Sequence, residues 1–384
     1  MTATVTATDS PLLRPLRIRG LDLPNRVVMS PMTRTASPGG VPTAEVAQYY
    51  RRRAEGGTGL IVTEGVVIDH PSAMDHPDVP NLHDRAARDG WRRAVDAVHE
   101  AGGRIAPQLW HVGPLFGAMR RIDDVRPMRP SGLWGEPGVT SYPQEYVDRA
   151  VTPTASMTDT DIADVIVAYA EAAGTAANLG FDAIAIHGGH GYLLDSFLWA
   201  STNRRDDAWG GDLQRRTAFP AAVVRAIREA VGEQIPILYR FSQHKQQDYT
   251  ARIADTPEEL GVVLGALVDA GVDVLDASAR RFDAPAFEGS DLSLAGWAKR
   301  TTGAITMAVG SVGLGKSLHD GRLAGPTVES VDNIAELEQR LGADEFDLAA
   351  IGRLHLADPR ITETLRERRP LPEFDRRKHE AVLT

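Results

Sequence analysis

One pattern of apolar and polar positions recurs along the chain. An amphipathic helix ends in Gly, and a short apolar run follows within a few residues. Clear copies lie at 100–109, 178–188, 269–278 and 340–352, and weaker copies lie at 56–65, 231–240 and 301–310. A Gly supplies the left-handed residue that ends many helices, and an apolar run without alternation is typical of a strand buried on both faces. The pattern therefore predicts repeated helix–strand units.

Two helix starts agree with this pattern. In the first, Thr256 is a capping residue, Pro257 occupies the first helical position, and Glu259 stands where a capping box places its carboxylate. The second start, at 158–161, predicts a helix that runs to about residue 178.

With an opening strand added, the chain contains eight predicted strands, at 27–31, 60–64, 104–109, 183–187, 236–240, 272–277, 305–309 and 347–351. Seven helices separate them, and an eighth is predicted near 358–368. Strands joined by helical crossovers run parallel. Eight such units close most naturally into an α/β fold of the (β/α)8 TIM-barrel type, with a doubly wound open sheet as the alternative.

A barrel of this kind accounts for the chain as one domain, 1–384. Residues 112–157 are rich in Pro and Gly and longer than an ordinary loop, so they predict a lid-like excursion after the third strand. Residues 369–384 follow the last predicted helix as a C-terminal tail.

Composition narrows the classes of chemistry. The 42 Lys and Arg against 52 Asp and Glu give a net charge of −10, so no nucleic-acid partner is expected. The absence of Cys excludes thiolate nucleophiles, thiolate zinc sites and iron–sulfur clusters. No apolar stretch reaches the ~20 residues of a membrane span. The first ten residues lack the pattern of a secretory signal, so the expected location is cytoplasmic.

In a barrel, functional residues lie at the carboxyl ends of the strands. His187 and His190 follow the fourth predicted strand, where two imidazoles can donate hydrogen bonds to one ligand oxygen, and the Tyr192 phenol can donate a proton. Structural roles are the alternative for each residue taken alone. A metal site is disfavoured because no set of three or four ligands is apparent.

Three further residues end predicted strands. Arg240 emerges from a buried strand and needs a partner, which is either a ligand or an internal carboxylate such as Asp276 or Glu64. Gln108 carries a donor and an acceptor that suit the edge of an amide-like ring. Trp110 is either a core residue or a pocket wall.

The sequence GSVGLGKS at 310–317 matches the phosphate loop of nucleotide hydrolases. Such a loop launches a helix at once, whereas here a stretch with Gly and Pro follows, so a nucleotide hydrolase is a remote alternative. Gly310 and Ser311 after the seventh strand, with Gly352 and Arg353 after the eighth, instead suit the phosphate site of a barrel.

Six motifs along the chain resemble the Old Yellow Enzyme family of FMN-dependent oxidoreductases, over roughly residues 14–362. They are LDLPNRVVMSPMTR (21–34), YYRRRAEGGTGLIVTEG (49–65), PQLWHVG (107–113), HGGHGYLLDSFL (187–198), NRRDDAWGG (203–211) and AIGR (350–353). The resemblance implies an ene-reductase, in which NADH or NADPH reduces bound FMN. The flavin then reduces an activated C=C bond of a small-molecule substrate: an α,β-unsaturated carbonyl, an imide or a nitroalkene.

The resemblance also implies roles for individual residues. Thr33, Gly65, Gln108 and Arg240 would contact the flavin ring, with Arg240 beside N1 and O2. The other implied assignments are Pro31 and Met32 in the cofactor site, Gly310, Ser311, Gly352 and Arg353 at the FMN phosphate, His187 and His190 at the substrate oxygen, Tyr192 as proton donor, and Trp110 as a pocket wall.

The segment FSQHKQQDY at 241–249 departs from many family members, and His244 and Lys245 are expected to reshape the pocket edge. This departure motivates a second hypothesis, a flavin-dependent desaturase, isomerase or imine reductase acting on a specialised natural product. The sequence leaves open the choice between NADH and NADPH and that between monomer and homodimer.

Overall fold

The computed structural model of the chain describes residues 10–316 and 327–384. Within them, eight strands form one closed barrel: β1 (Val27–Met29), β2 (Leu60–Val67), β3 (Ile105–Trp110), β4 (Ile184–His187), β5 (Ile237–Phe241), β6 (Val274–Ser278), β7 (Ile305–Val309) and β8 (Leu348–Ile351). All neighbouring strands are parallel, and β8 pairs with β1. The predicted (β/α)8 barrel is confirmed, and the open sheet is wrong because the β8–β1 pairing leaves neither strand as an edge.

In the described ranges, eight helices alternate with the barrel strands: α1 (Ala44–Glu55), α2 (Arg85–Glu100), α3 (Asp159–Leu179), α4 (Ala218–Val231), α5 (Pro257–Asp269), α6 (Leu294–Thr302), α7 (Ile334–Gly342) and α8 (Ile361–Arg366). Shorter helical segments lie at Pro11–Leu13, Pro38–Gly40, Gly113–Leu115, Gln144–Ala150, Leu193–Leu198, Leu213–Arg216, Arg353–Ala357 and Arg376–His379. Across both described ranges, no helix has the length and apolar character needed to cross a membrane.

Both predicted helix caps form, one of them with a difference. The side chains of Thr158 and Asp161 complete a capping box at the start of α3. At α5, the Thr256 hydroxyl accepts from the N–H of Glu259 at 3.2 Å, but the Glu259 carboxylate accepts from the N–H of Asp255. The predicted capping box at α5 is therefore wrong in one bond, because the Glu259 carboxylate accepts from the N–H of Asp255 and not from that of Thr256.

Strand β2 is longer than its predicted range, 60–64, and it is irregular. Its register against β3 shifts between Val62 and Gly65. Beyond this bulge, Gly65 lies opposite Gln108 and Val67 lies opposite Trp110. Because a bulge re-aims the residues that follow it, this one sets how β2 meets the end of β3 at the barrel mouth.

A β-hairpin covers the amino-terminal end of the barrel. It pairs Leu16–Ile18 with Leu21–Leu23 in antiparallel fashion. Its apolar side chains pack in one buried cluster with those of the barrel interior. The N–H of Gly20 donates to the carbonyl of Gln234, just before β5, which fixes the hairpin at this end. The hairpin was not predicted because each strand has only three residues.

The excursion 112–157 carries a small core of its own. The segments Gly113–Leu115 and Gln144–Ala150 are helical, and the rest is irregular. Its core residues are Leu115, Trp134, Tyr146, Val147 and Ala150. Its function as a lid, like the assignment of 1–384 to one domain, stays a prediction.

The tail, 369–384, folds back toward the loop after β1. Phe374–Asp375 pairs with Thr327–Val328 in a two-stranded sheet. The Arg34 guanidinium donates to three carbonyl oxygens of residues 379–382. These bonds hold the tail beside the carboxyl end of the barrel.

We expect Leu23→Ala to lower the free energy of unfolding by about 2–5 kcal/mol, because this side chain is buried against the barrel interior. Leu16→Ala, in the same hairpin but at a half-buried position, should cost clearly less. Urea titrations followed by circular dichroism measure both values. Equal losses in the two variants would contradict a hairpin that seals the interior.

Candidate active site

A cavity of about 670 Å³ opens at the carboxyl ends of the barrel strands. This volume lies within the roughly 300–1,000 Å³ of typical small-molecule sites. Of the predicted site residues, its lining includes Pro31, Met32, Thr33, Gln108, Trp110, His187, His190, Tyr192, Arg240, Gly310, Ser311, Gly352 and Arg353. The fold thus brings residues from distant parts of the chain around a single volume.

Gly65 is a predicted site residue that does not belong to the described lining of this cavity. A Cβ added to Gly65 would lie 2.1 Å from Cε3 of Trp110. The missing side chain therefore lets the Trp110 ring lie against β2, so Gly65 shapes the wall from behind. Its implied contact with the flavin stays a prediction.

The cavity lining also contains Gln246 and Tyr249 of the segment 241–249, and residues that the sequence did not single out, among them Thr35, Met119, Tyr142, Arg280 and Glu380. Two of them belong to the excursion 112–157 and one to the tail. The sequence marked these segments only by their length. Irregular chain has no hydrophobic periodicity, so the sequence does not predict which of its side chains face the cavity. His244, expected at the pocket edge, lies in the lining as well, whereas Lys245, expected there too, is fully buried and is not part of the lining.

Four rings form a cluster at the ends of β3 and β4. Trp110 stacks on His187 with ring centroids 5.8 Å apart. Tyr192 meets Trp110 and His187 edge-on, at 4.9 Å and 4.7 Å, and His190 lies edge-on to His187 at 5.1 Å. This arrangement brings the two imidazoles and the phenol predicted for substrate contact onto one wall.

Three polar nitrogens on this part of the lining are buried without a hydrogen-bond partner among the described residues. They are Nε2 of Gln108, Nε1 of Trp110 and Nδ1 of His187. A buried polar group that makes no hydrogen bond costs about 1–3 kcal/mol, and such groups are rare in folded proteins. All three residues line the same cavity, so a ligand with hydrogen-bonding groups that binds there would be placed among them.

The two histidines are held in their neutral form. Burial lowers the pKa of His187 well below its ordinary value, and the nearby Arg240 cation lowers it further. Burial also lowers the pKa of His190 well below its ordinary value, with a further contribution from His244. Nε2 of His190 lies 2.9 Å from the Ser278 hydroxyl, which fixes the ring. Each ring can therefore offer one N–H donor near neutral pH.

Arg240 has an internal partner. Its Nε donates to Oδ2 of Asp276 at 2.7 Å, and its Nη2 donates to the Ser30 hydroxyl at 3.1 Å. Of the two carboxylates weighed from the sequence, Asp276 forms the ion pair and Glu64 does not. Burial raises the pKa of Asp276, and the guanidinium opposes this shift. Because Arg240 also lines the cavity, its guanidinium is oriented by the ion pair and can still contact a ligand in the cavity.

The loops after β7 and β8 are bonded to each other. Arg353 Nη2 donates to the carbonyl of Lys316 at 2.8 Å, and the Ser311 hydroxyl donates to the same oxygen at 3.1 Å. Gly310 has φ +144°, and a Cβ there would lie 2.6 Å from the carbonyl oxygen of Ala279. Glycine is therefore required at this position.

The described part of the GSVGLGKS match, 310–316, forms turns and bends. Ser317 lies outside the described residues. A phosphate loop of nucleotide hydrolases opens its helix at the Gly-Lys-Ser end of the motif and beyond it, and those positions lie largely outside the described residues, so the turns at 310–316 carry no argument on that alternative. Among the described residues, no group of three or more His, Asp or Glu side chains could hold a metal ion.

Glu64 lies behind the loop that follows β1. Its Oε2 accepts from the N–H groups of Arg34 and Thr35, at 2.9 Å and 3.3 Å. Burial raises the pKa of Glu64 to about 7, and these N–H groups oppose the shift. Glu64 thereby positions the segment that carries Thr33.

The chain matches the model of the NADH:flavin oxidoreductase / NADH oxidase family over residues 11–372. It is 34% identical over 238 residues to 12-oxophytodienoate reductase 7 of Oryza sativa subsp. japonica, and the alignment covers 58% of this chain and 56% of that protein. It is 32% identical over 396 residues to flavin oxidoreductase hxnT of Emericella nidulans, with 95% and 93% covered.

The solved structure of morphinone reductase in complex with tetrahydroNAD has a TM-score of 0.75 to this chain at 28% identity, with 94% of this chain and 91% of that chain covered. The chain therefore belongs to the NADH:flavin oxidoreductase / NADH oxidase family, and the resemblance to Old Yellow Enzyme is confirmed. The match spans little more than half the length of the rice reductase.

We expect Glu64→Gln to gain stability relative to the natural chain as the pH rises. The folded-state pKa, about 7, lies above the ordinary 4.5, so the proton-linked stability of Glu64 is fully present below pH 4.5 and is lost as the pH rises through 7. The difference in unfolding free energy should grow by up to about 3 kcal/mol between about pH 5 and pH 8 in urea titrations.

The control for this measurement is Glu45→Gln, an exposed change in the first turn of α1. It should show no comparable trend. A pH-independent difference between Glu64→Gln and the natural chain would contradict the assigned protonation.

Proposed function

We propose that the chain is an FMN-dependent oxidoreductase that uses NADH or NADPH to reduce activated C=C bonds. The proposed substrates are small α,β-unsaturated carbonyls, imides or nitroalkenes. The observation that carries this proposal is the set of buried, unpartnered donors on a cavity wall that also bears two neutral histidines and a tyrosine. Two relatives reported above are named reductases, and the structure of one holds tetrahydroNAD.

The residues of the cavity fit FMN. Gln108 offers an unpartnered amide donor, and Arg240 offers a cation in the same cavity lining, which suits the polar edge of a flavin ring. The Thr33 hydroxyl at the mouth would hydrogen-bond the flavin O4. Gly310 and Ser311, with Gly352 and Arg353, would hold the phosphate. When bound, FMN supplies the hydride chemistry that no amino-acid side chain provides.

His187 and His190 would bind the carbonyl or nitro oxygen of the substrate. Their N–H groups stabilise the negative charge that develops on this oxygen as the β-carbon accepts hydride. Because both rings are already neutral, they donate hydrogen bonds without a change of protonation. The packed Trp110 ring limits the movement of the His187 ring from one side.

Tyr192 would donate the proton that completes the reduction, to the α-carbon of the substrate. Its ring is held edge-on between Trp110 and His187, at the start of the helix Leu193–Leu198. A proton donor fixed in this way supports addition of the two hydrogens from opposite faces of the double bond.

The other hypotheses from the sequence have less support. Among the residues that the structure describes, no contact at the site favours a desaturase, isomerase or imine reductase over an ene-reductase, and the family match over residues 11–372 gives no support to a nucleotide hydrolase. A cytoplasmic location, and a monomeric or homodimeric state, stay predictions.

The direct test is a visible absorption spectrum of the purified chain reconstituted with FMN. Under argon, NADPH or NADH should bleach the flavin bands, and 2-cyclohexenone should restore them with formation of cyclohexanone. Failure to retain FMN would overturn the proposal. Recovery with an imine, but with no enone, imide or nitroalkene, would favour the second hypothesis.

We expect Tyr192→Phe to slow reoxidation by the enone by about 100-fold or more, because a positioned general acid contributes about 10²- to 10⁴-fold. Flavin reduction by NADPH should change little, since that step needs no proton from Tyr192. Stopped-flow absorbance separates the two steps. Tyr249→Phe, which alters another phenol of the cavity lining, is the matched control. Equal reoxidation rates in Tyr192→Phe and the natural chain would exclude Tyr192 as the acid.

A further inference from the structure

We propose that residues 242–247, here called the β5 strap, and the buried ion pair between Lys245 and Asp195 are positioning elements for the loop that carries His190 and Tyr192. They set the backbone of this loop and so orient the side chains that meet the substrate. The inference rests on the proposed function, because that function gives the loop its role.

The strap and Asp195 satisfy all the backbone hydrogen-bonding groups of two consecutive residues. The N–H of His190 donates to the Ser242 hydroxyl at 2.8 Å, and the carbonyl of His190 accepts from the N–H of Gln246 at 3.1 Å. The N–H of Gly191 donates to Oδ2 of Asp195 at 2.6 Å, and its carbonyl accepts from the amide of Gln247 at 3.3 Å. Every backbone N–H and C=O group of His190 and Gly191 therefore has a hydrogen-bond partner in the strap or in Asp195.

These bonds hold an unfavourable backbone conformation. His190 has φ +63°, in the left-handed region that few residues other than glycine adopt. Gly191 has φ +80°, and a Cβ there would lie 1.9 Å from Oε1 of Gln247. Because a strained residue keeps its conformation only when its surroundings enforce it, the strap enforces the backbone conformation from which the His190 ring projects toward Ser278.

The ion pair anchors the strap in a dry environment. Nζ of Lys245 lies 2.7 Å from both carboxylate oxygens of Asp195, and the side chains are 0% and 1% exposed. The same ammonium donates to the carbonyl of Ser242 at 3.3 Å. Lys245 therefore connects the strap to the carboxylate that holds Gly191. Removing one member of such a pair leaves an uncompensated buried charge.

The pair responds to pH in a predictable way when one partner is lost. Burial lowers the pKa of Lys245 and raises the pKa of Asp195, and each charge opposes the shift of the other. The other titratable groups that interact with the pair are the rings of His190, His244 and Tyr239. Burial keeps both histidines neutral and raises the pKa of Tyr239 well above its ordinary value, so they stay uncharged near neutral pH.

The test compares two single variants whose pH profiles should slope in opposite directions. In Lys245→Met, Asp195 can remain near its place while protonated, so kcat/KM for 2-cyclohexenone should fall as the pH rises and the carboxyl ionises. In Asp195→Asn, Lys245 is the unpaired charge, so kcat/KM should rise with pH as the ammonium loses its proton. Each loss should reach about 10- to 100-fold at its unfavourable end, as expected for a small misplacement of reacting groups.

The double variant Lys245→Met/Asp195→Asn removes both charges. It should recover most of the activity, since Asn can still accept from the N–H of Gly191. Its kcat/KM should show neither of the pH dependences expected for the two single variants. Asp273→Asn is the matched control, because Asp273 also forms an ion pair, with Arg228, in which each side chain is 10% exposed, but lies before β6 at the opposite end of the barrel. It should lower stability without changing the pH profile.

Ser242→Ala provides a test that does not depend on either charge. It removes the acceptor for the N–H of His190 and should lower kcat/KM about tenfold without a new pH dependence. Faster hydrogen–deuterium exchange at His190 and Gly191, measured by mass spectrometry, should accompany the loss. Natural kinetics in both Ser242→Ala and Lys245→Met would overturn the positioning role. An inactive natural chain would instead refute the proposed function.

Discussion

Closure of the barrel by the pairing of β8 with β1 is the constraint on which the rest of the structure depends. Because all eight strands run parallel, their carboxyl ends meet in one ring, and side chains from Pro31 to Arg353 reach the same cavity. Below this ring the interior is filled by apolar side chains and covered by the hairpin at 16–23. The closed sheet is rigid, so the loops above it can differ in length and still present their residues to one ligand.

Buried charged side chains hold the loops at the carboxyl ends of the strands in place. Arg240 is paired with Asp276, Lys245 is paired with Asp195, and Glu64 accepts two backbone N–H groups. A buried ion pair adds little net stability, but the loss of one partner costs about 3–5 kcal/mol. These groups therefore act chiefly by allowing one arrangement of the loops. Each of the three lies beside a residue assigned to cofactor or substrate, which links the electrostatics of the wall to its chemistry.

The apolar runs predicted all eight strands, and most predicted site residues line the cavity because a residue that ends a barrel strand can point to few other places. The partner of Arg240 could not be predicted, since Asp276 and Glu64 both lie at the ends of predicted strands. The register of the strands determines the partner, because Arg240 lies opposite Asp276 in the β5–β6 pair. Glu64 lies in the bulged part of β2 and accepts from the N–H of Arg34 instead. Tyr142 and Glu380 were missed because they belong to irregular segments.

The sequence by itself determined the barrel, its family and the type of residue at each strand end, because these follow from local periodicity and from short motifs. Only the tertiary structure decided which polar groups are paired and which are left for a ligand. Lys245 and Asp195 are 50 positions apart and carry no local signal of contact. Their pairing arises where the β5 strap packs against the helix Leu193–Leu198 and buries both side chains. Desolvation makes either charge costly without the other.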